Sequence, residues 1–390
     1  MNILFIVIVL MEILSGIEID ICVPSFPEIQ HTFTTSTFAV EGLLSVNLFT
    51  NCIGALMAGN LGDRYGRKPI ILCGLVLFIL GSLMCTSAPH YSVLFMGRMI
   101  QGLGISCPAC LAYVIIPDIY DIKTHQRLLG LLNFFTTASM AIAPVIGSHI
   151  TLYCGWRGNF GFCCICGILL FVLGYRFLPP GEKNDAVSLR LSEYLHILKN
   201  KKAMHYVFTI CFFVIGYWVF VALAPILYRK DLGVQLEHFG FYQGTLATVF
   251  AIISLLNERL FHYFGIKKCF WGSIVLVIAS LVFIVALVWM DARNPVLITT
   301  AMALMSAGLI CPVNILCPYA YNAAPKEKGK LNAMIIAVKL ISISLLVQFI
   351  SFFYAGSFQI IGWVVALTMM IALWGSWRLL KMDPILEIKE

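Results

Sequence analysis

Three carboxylates, Glu12, Glu18 and Asp20, stand in the first apolar run of the chain, and a guanidinium, Arg98, stands inside a later one. Charge at membrane depth costs about 2.5–3.5 kcal/mol on insertion scales, so such groups mark proton or substrate paths by default. The chemistry on offer is reversible proton binding. An arginine keeps its proton in practice, so Arg98 is a fixed charge able to tune an acid. Glu12 and Asp20 are eight residues apart; on an ideal helix that is about 80° in azimuth and about 12 Å in depth, so both can look into one aqueous space. Glu18 points about 160° from Asp20 on the same wheel and is expected to meet a neighbouring helix. Pro24 cannot donate to the Asp20 carbonyl four residues back, so the helix should loosen beside that carboxylate. Two further charges complete the set. Lys339 falls near the middle of a late apolar run, too deep to snorkel comfortably, and Glu41, early in the second run, is expected at the interface.

The elements that hold these groups must be membrane spans. Apolar side chains make up 60% of the 390 residues and charged ones 12%, against about 45–50% and about 25% in soluble domains. A soluble globule could not cover itself with so few charges, so the excess faces lipid. Segments of the roughly 17–25 residues that cross a bilayer fall near 2–24, 38–61, 70–88, 92–116, 128–151, 158–178, 204–227, 239–261, 269–290, 295–318, 330–353 and 358–379. They make twelve spans. The one long polar break, 179–203, divides the chain into bundles 1–178 and 204–390 joined by a cytoplasmic linker. With both termini cytoplasmic, inward loops hold twenty of the 26 Lys and Arg residues. Outward loops then hold only Arg157, Arg229, Lys230 and Arg293, and Arg98 and Lys339 remain inside spans. That bias follows the positive-inside rule. The formal charge of +7 is thus topological and calls for no nucleic-acid partner. No signal peptide is expected to be removed, because the first apolar run continues well past a short h-region. Most of the 14 cysteines lie in apolar runs, where cysteine is a small hydrophobe. Neither they nor the histidines have zinc-site spacing, and there is no phosphate-binding G-x-x-x-x-G-K-[ST] loop. No metal, cofactor or ATP coupling is expected.

Between spans two and three stands Gly59-Asn60-Leu61-Gly62-Asp63-Arg64-Tyr65-Gly66-Arg67-Lys68-Pro69. Gly59 and Gly62 allow close backbone approach, Asp63 and Arg67 are spaced for an i,i+4 pair, and Gly66 permits a tight turn. A carboxylate here could sit at the positive end of a neighbouring half-helix and latch the two halves. A weaker echo, Asn257-Glu258-Arg259-Leu260 followed by Gly265-Ile266-Lys267-Lys268, lies 199 residues on from Gly66 to Gly265. That offset fits two parallel repeats. The first motif resembles the cytoplasmic loop signature of the major facilitator superfamily. The run Arg98-Met99-Ile100-Gln101-Gly102-Leu103-Gly104 is similar to its span-four signature, and span five keeps Gly130, Pro144 and Gly147 of its antiporter signature with Ser139, Ala143 and Ser148 in place of other glycines. Together with Glu12, Asp20, the Val23-Pro24-Ser25-Phe26-Pro27 segment and Trp156-Arg157, the chain resembles the twelve-span drug:proton antiporters of the Bcr/CflA and MdfA type.

That resemblance implies an all-α membrane protein with the major facilitator fold: two six-helix bundles around a central cavity that opens to either side in turn. It implies proton coupling at Asp20, Glu12 and Arg98, with Glu12 and Gln101 lining the substrate cavity and a cytoplasmic gate at Gly59, Gly62, Asp63, Arg64, Gly66, Arg67 and Lys68. Tyr113, Tyr217, Trp218, Asn314, Asn332 and Lys339 are further candidates for that cavity. The expected activity is export of drugs or a small amphiphilic metabolite, such as a siderophore, across the bacterial inner membrane in exchange for protons. The expected partners are the substrate, protons and the lipid bilayer, with the chain acting as a monomer. A proton-coupled importer, with Lys339 binding a substrate carboxylate, is the alternative. A membrane-embedded enzyme finds no support, since no nucleophile–base or metal constellation is present.

Overall fold

A computed structural model describes residues 3–119, 122–180, 198–324 and 328–382. No strand occurs among them. The helices are α1 (Ile3–Asp20), α2 (Phe26–Thr32), α3 (Thr37–Tyr65), α4 (Arg67–Thr86), α5 (Tyr91–Ile119), α6 (Ile122–Phe177), α7 (Lys201–Pro225), α8 (Leu236–Trp289), α9 (Pro295–Ala323), α10 (Lys328–Phe353) and α11 (Phe358–Met382).

Two of these are too long to be single spans. At 56 residues, α6 would reach about 84 Å at 1.5 Å per residue. It breaks at Gly155 (φ 65°), and α8 breaks in the same way at Gly265 (φ 76°). Ten helical stretches among the described residues are long and apolar enough to cross a membrane. The twelve expected differ from these by α1, which carries three carboxylates in 18 residues, and by the two arms of α6, which count together as one stretch. The outer faces suit lipid: Ile165, Leu169 and Val172, successive on one face of α6, are 69%, 57% and 57% exposed.

Local chemistry sets the helix ends. Ser36 caps α3 by accepting from the Ala39 amide at 3.2 Å, and Asn200 caps α7 through the Ala203 amide at 3.1 Å. Asn294 caps α9, with Pro295 at its first position, where a missing N–H costs nothing. The α1 helix ends at Asp20, earlier than the apolar run, and the chain passes Pro24 in a 3₁₀ turn, Val23–Ser25. All the left-handed positions but Asp291 repeat along the chain. Thr34, Gly66 and Gly155 in the first half are followed by Gly233, Gly265 and Gly356 in the second, at offsets of 199, 199 and 201 residues.

The described residues form two compact units, one within Met1–Leu189 plus Gln235–Gly244 and the other within Arg190–Val234 plus Thr245–Glu390. In the first, α4 packs on α5 and α6, α5 packs on α3, and α1 packs on α6. Small residues permit this closeness. A methyl group at Gly81 of α4 would come within 2.6 Å of the Gln101 amide on α5, and one at Gly97 within 2.7 Å of the Cys85 sulfur. On α6, a methyl at Gly147 would strike the Ile21 carbonyl, and one at Gly16 of α1 would strike the Ser139 hydroxyl. In the second unit α7 is central, packing on α9, α10 and α11.

Candidate functional site

The carboxylates of α1 are separated into three different environments. Glu18 carries the ion pair: Arg98 Nη1 lies 2.7 Å from Glu18 Oε1, and both side chains are wholly buried. The same Arg98 nitrogen donates to Gln101 Oε1 at 2.7 Å, and Nε donates to the Leu43 carbonyl at 3.4 Å. Asn47 Nδ2 donates to Glu18 Oε1 at 2.8 Å and more weakly to the Arg98 carbonyl at 3.3 Å. Gln101 Nε2 donates to Ser82 Oγ at 2.9 Å, and Ser82 in turn donates to the Phe78 carbonyl at 2.7 Å. The Phe160 ring lies 5.8 Å from the guanidinium carbon. Four helices, α1, α3, α4 and α5, are thereby tied through one cation. Glu18 Oε2, Asn47 Oδ1 and Arg98 Nη2 are left without hydrogen-bond partners among the described residues, so the pair is single-toothed where a guanidinium could make two parallel bonds.

Glu12, 2% exposed, sits in the α1–α6 seam. It accepts from Thr136 Oγ1 at 3.3 Å, its other oxygen has no partner among the described residues, and Tyr113 of α5 hydrogen-bonds to the same threonine. Asp20, 3% exposed, closes α1 with neither a hydrogen bond nor an ion pair among the described residues. Thus one cation serves three acids, and it serves Glu18. Asp20 and Glu12 have no counter-ion among the described residues. Gln101, expected beside a substrate, is fully buried and engaged by Arg98 and Ser82. Glu41, near the start of its span, is also fully buried by protein.

The loop motif is a sharp turn between α3 and α4. Gly66 holds φ 91° and ψ 149°, conformations closed to most L-residues, and Gly265 nearly copies it at φ 76° and ψ 154°. Arg67 pairs with Asp63 at 3.2 Å. The Arg64 guanidinium lies 5.4 Å from the Tyr65 ring, and the Lys68 ammonium 5.5 Å from that of Tyr175. A methyl at Gly62 would meet Leu111 at 2.7 Å, whereas one at Gly59 would meet nothing within 4 Å. In span five Pro144 lies within α6 and Gly147 faces the chain just after α1. Gly130, Asn332 and Glu258 lie on helices but outside the residues whose surroundings are described.

In the second unit Tyr217 is buried and stacks on Phe250 with centroids 5.7 Å apart, while Trp218 meets its edge at 5.4 Å. Lys339 is half-buried on α10 near the Cys211 and Cys317 thiols, with no carboxylate in salt-bridge range among the described residues. Asn314 is exposed and joins none of these groups. No set of three His, Cys, Asp or Glu residues that could hold a metal occurs among the described residues.

Sequence reasoning missed Asn47, Ser82 and Thr136. A polar residue in an apolar span is the signal that marks each of them, but only packing shows which charge it serves.

Comparison with known proteins places these features. Over 263 residues, 65% of this chain and 66% of the relative, the sequence is 27% identical to a bicyclomycin resistance protein homolog of Haemophilus influenzae. Over 235 residues, 60% of this chain and 58% of the relative, it is 30% identical to the multidrug resistance protein MdtL of Shigella dysenteriae. The matched region spans under two thirds of each of these relatives. The fold is similar to that of a D-xylose–proton symporter, with a TM-score of 0.75 and 16% identity over 96% of each chain. It is also similar to an inward-open form of the Escherichia coli xylose transporter, with a TM-score of 0.74 and 13% identity over 96% of this chain and 97% of that one. Residues 8–347 match the profile of the Major Facilitator Superfamily, and the chain therefore belongs to that family.

Proposed function

We propose that this chain is a proton-coupled exporter of drugs or small amphiphilic metabolites, working in a bacterial inner membrane with both termini cytoplasmic and as a monomer. The names of its relatives, which speak of bicyclomycin and multidrug resistance, support export over import. The single observation that carries the proton half of the reading is the imbalance on α1, where, among the described residues, three carboxylates are buried and only Glu18 meets a buried cation. An ionised carboxylate without a counter-ion is costly in an apolar interior, and a bound proton removes that cost.

In this reading Glu18 and Arg98 are the fixed pair and Asp20 and Glu12 are the loading sites. Protons arriving from outside neutralise Asp20 and Glu12, substrate leaves, and the neutral acids favour the state that opens inward. There the protons are released and a new substrate enters. Residues 1–178 and 204–390 act as the two moving bodies, 179–203 joins them, and the turn at Gly59–Lys68 latches them. Tyr217, Trp218, Asn314, Asn332, Gln101, Tyr113 and Lys339 belong to the substrate path in this proposal.

Everted vesicles test the assignment. Asp20→Asn should abolish substrate export driven by a pH gradient while the protein still reaches the membrane. Full pH-driven export by that variant would remove Asp20 from the coupling role. A gradient that substrate strengthens, rather than dissipates, would reverse the direction of transport.

A further inference from the structure

Glu41 is the acid that neither the loop motif nor the α1 carboxylates account for. It is 0% exposed, and neither carboxylate oxygen has a hydrogen-bond partner among the described residues. It stands four residues into α3, at the end remote from the Gly66 turn. The 22 residues from Glu41 to Asp63 span about 33 Å of helix, close to the thickness of a bilayer core.

Among the described side chains, the titratable groups on the elements around α3 are Glu12, Glu18 and Asp20 of α1, Glu28 and His31 of α2, Arg67, Lys68, Cys73 and Cys85 of α4, and Tyr91, Arg98, Cys107, Cys110 and Tyr113 of α5. None makes an ion pair or hydrogen bond to Glu41. Arg98 comes nearest in sequence register, reaching the Leu43 carbonyl, but its charge is spent on Glu18. Tyr91 donates to the Ala39 carbonyl at 2.5 Å. The far end of α4, at Arg67 and Lys68, belongs to the opposite turn.

A carboxylate ionised in this place would have no compensation at all, whereas the neutral acid leaves one donor and weaker acceptors unsatisfied. The segment that leads into α3 is polar and open: His31, Thr32, Thr34 and Ser36 are exposed, and the chain turns through Thr34 at φ 45°, a conformation that costs a non-glycine residue on the order of 1–2 kcal/mol. A buried acid lies just beneath this exposed polar entrance to the helix.

We propose that Glu41 is a third proton-binding site, loaded from the side of the membrane on which α3 begins and emptied when that end of the helix is wetted. The inference rests on the proton-exchange reading above, but it assigns the step to a different helix. Glu41 holds a proton while α3 is packed as seen here and gives it up to water when the Phe33–Phe38 segment moves aside.

Infrared difference spectroscopy of the full-length protein in proteoliposomes, recorded between acid and alkaline buffer, reads this directly. The wild type should show protonated-carboxylic-acid carbonyl bands that fade on the alkaline side, and Glu41→Gln should lose one component of them, distinct from those lost in Asp20→Asn and Glu12→Gln, and flatten the corresponding limb of the transport pH profile. Glu41→Asp should shift that component and restore the limb, and it decides the matter alone if Glu41→Gln does not fold. A difference spectrum and pH profile that Glu41→Gln leaves unchanged, or that Glu41→Asp leaves unshifted, would overturn the proposal. The two readings fail separately. If the Glu41 band does not titrate while Asp20→Asn abolishes export, Glu41 is dropped and the α1 mechanism stands. If the band titrates while Asp20→Asn exports normally, the reverse holds.

Discussion

Removing the charge of Glu18 without changing its shape is the perturbation whose outcome the structure constrains most. Glu18→Gln keeps an oxygen for the Asn47 amide, 2.8 Å away, but leaves the Arg98 guanidinium, 0% exposed, with no carboxylate. Deleting one partner of a buried pair costs about 3–5 kcal/mol, whereas replacing both with neutral groups of similar volume is often neutral or stabilising. The remaining acceptors for Arg98 are the neutral Gln101 and Leu43 oxygens, worth about 1.5–3 kcal/mol each as bonds to a charged group, so they soften the loss without cancelling it. Glu18→Gln and Arg98→Gln should therefore each lower stability by about 3 kcal/mol, and the double variant should recover most of that loss. Buried thiols supply the assay. Cys22, Cys85 and Cys163 are free and buried, so a thiol-reactive dye reports thermal unfolding of detergent-purified protein. Each single variant should unfold several degrees below the wild type, with the double variant between them and the wild type. A double variant whose loss equals the sum of the two single losses would show that the charges are not coupled and would refute the assignment.

Other substitutions probe the helix seams and the acid environments. Gly147→Val should lower stability by about 1–3 kcal/mol and abolish transport, because its side chain would enter the Ile21 carbonyl, whereas Gly272→Ala on α8, with open space around it, should express and transport as the wild type; thermal unfolding and vesicle transport read both. Gly66→Ala should cost on the order of 1–2 kcal/mol for its left-handed backbone, read as a lower unfolding midpoint. Thr136→Val removes the donor to Glu12 at 3.3 Å at nearly constant volume. Under the proposed mechanism it should alter the pH profile of export more than the amount of folded protein, and an unchanged profile would separate Glu12 from coupling.

Much of the fold was legible because a bilayer imposes length and apolarity on every span. Boundaries drawn from composition fall within a few residues of the helices for α3, α4, α5, α10 and α11. The internal repeat was legible at Gly66 and Gly265, since only glycine readily accepts the backbone that such a turn requires; that Thr34 and Gly233, and Gly155 and Gly356, repeat as well needed coordinates, because a threonine does not advertise a positive φ. Apolarity alone could not end α1. The run reads on to Val23, yet the helix stops at Asp20 ahead of Pro24. Choosing the partner of Arg98 was beyond the sequence. A helical wheel turns Glu18 away from Asp20, but which of the two meets the guanidinium depends on how α3 and α5 flank α1, and Asn47 supplies half of that answer. The burial of Glu41 was hidden for a related reason: position along a span sets depth, while burial is set by neighbours that are distant in sequence.

The central claim is that movement of substrate and movement of protons through this chain are one process, run by acids of α1 that lack a counter-ion among the described residues. Purified protein in proteoliposomes carrying an internal pH dye tests it most directly, with an amphiphilic drug added to one side and no pre-set gradient. The account predicts proton flux opposite in direction to the drug, absent with Asp20→Asn and present with Gly272→Ala. Drug accumulation with no proton flux, or protons and drug moving the same way, would contradict it.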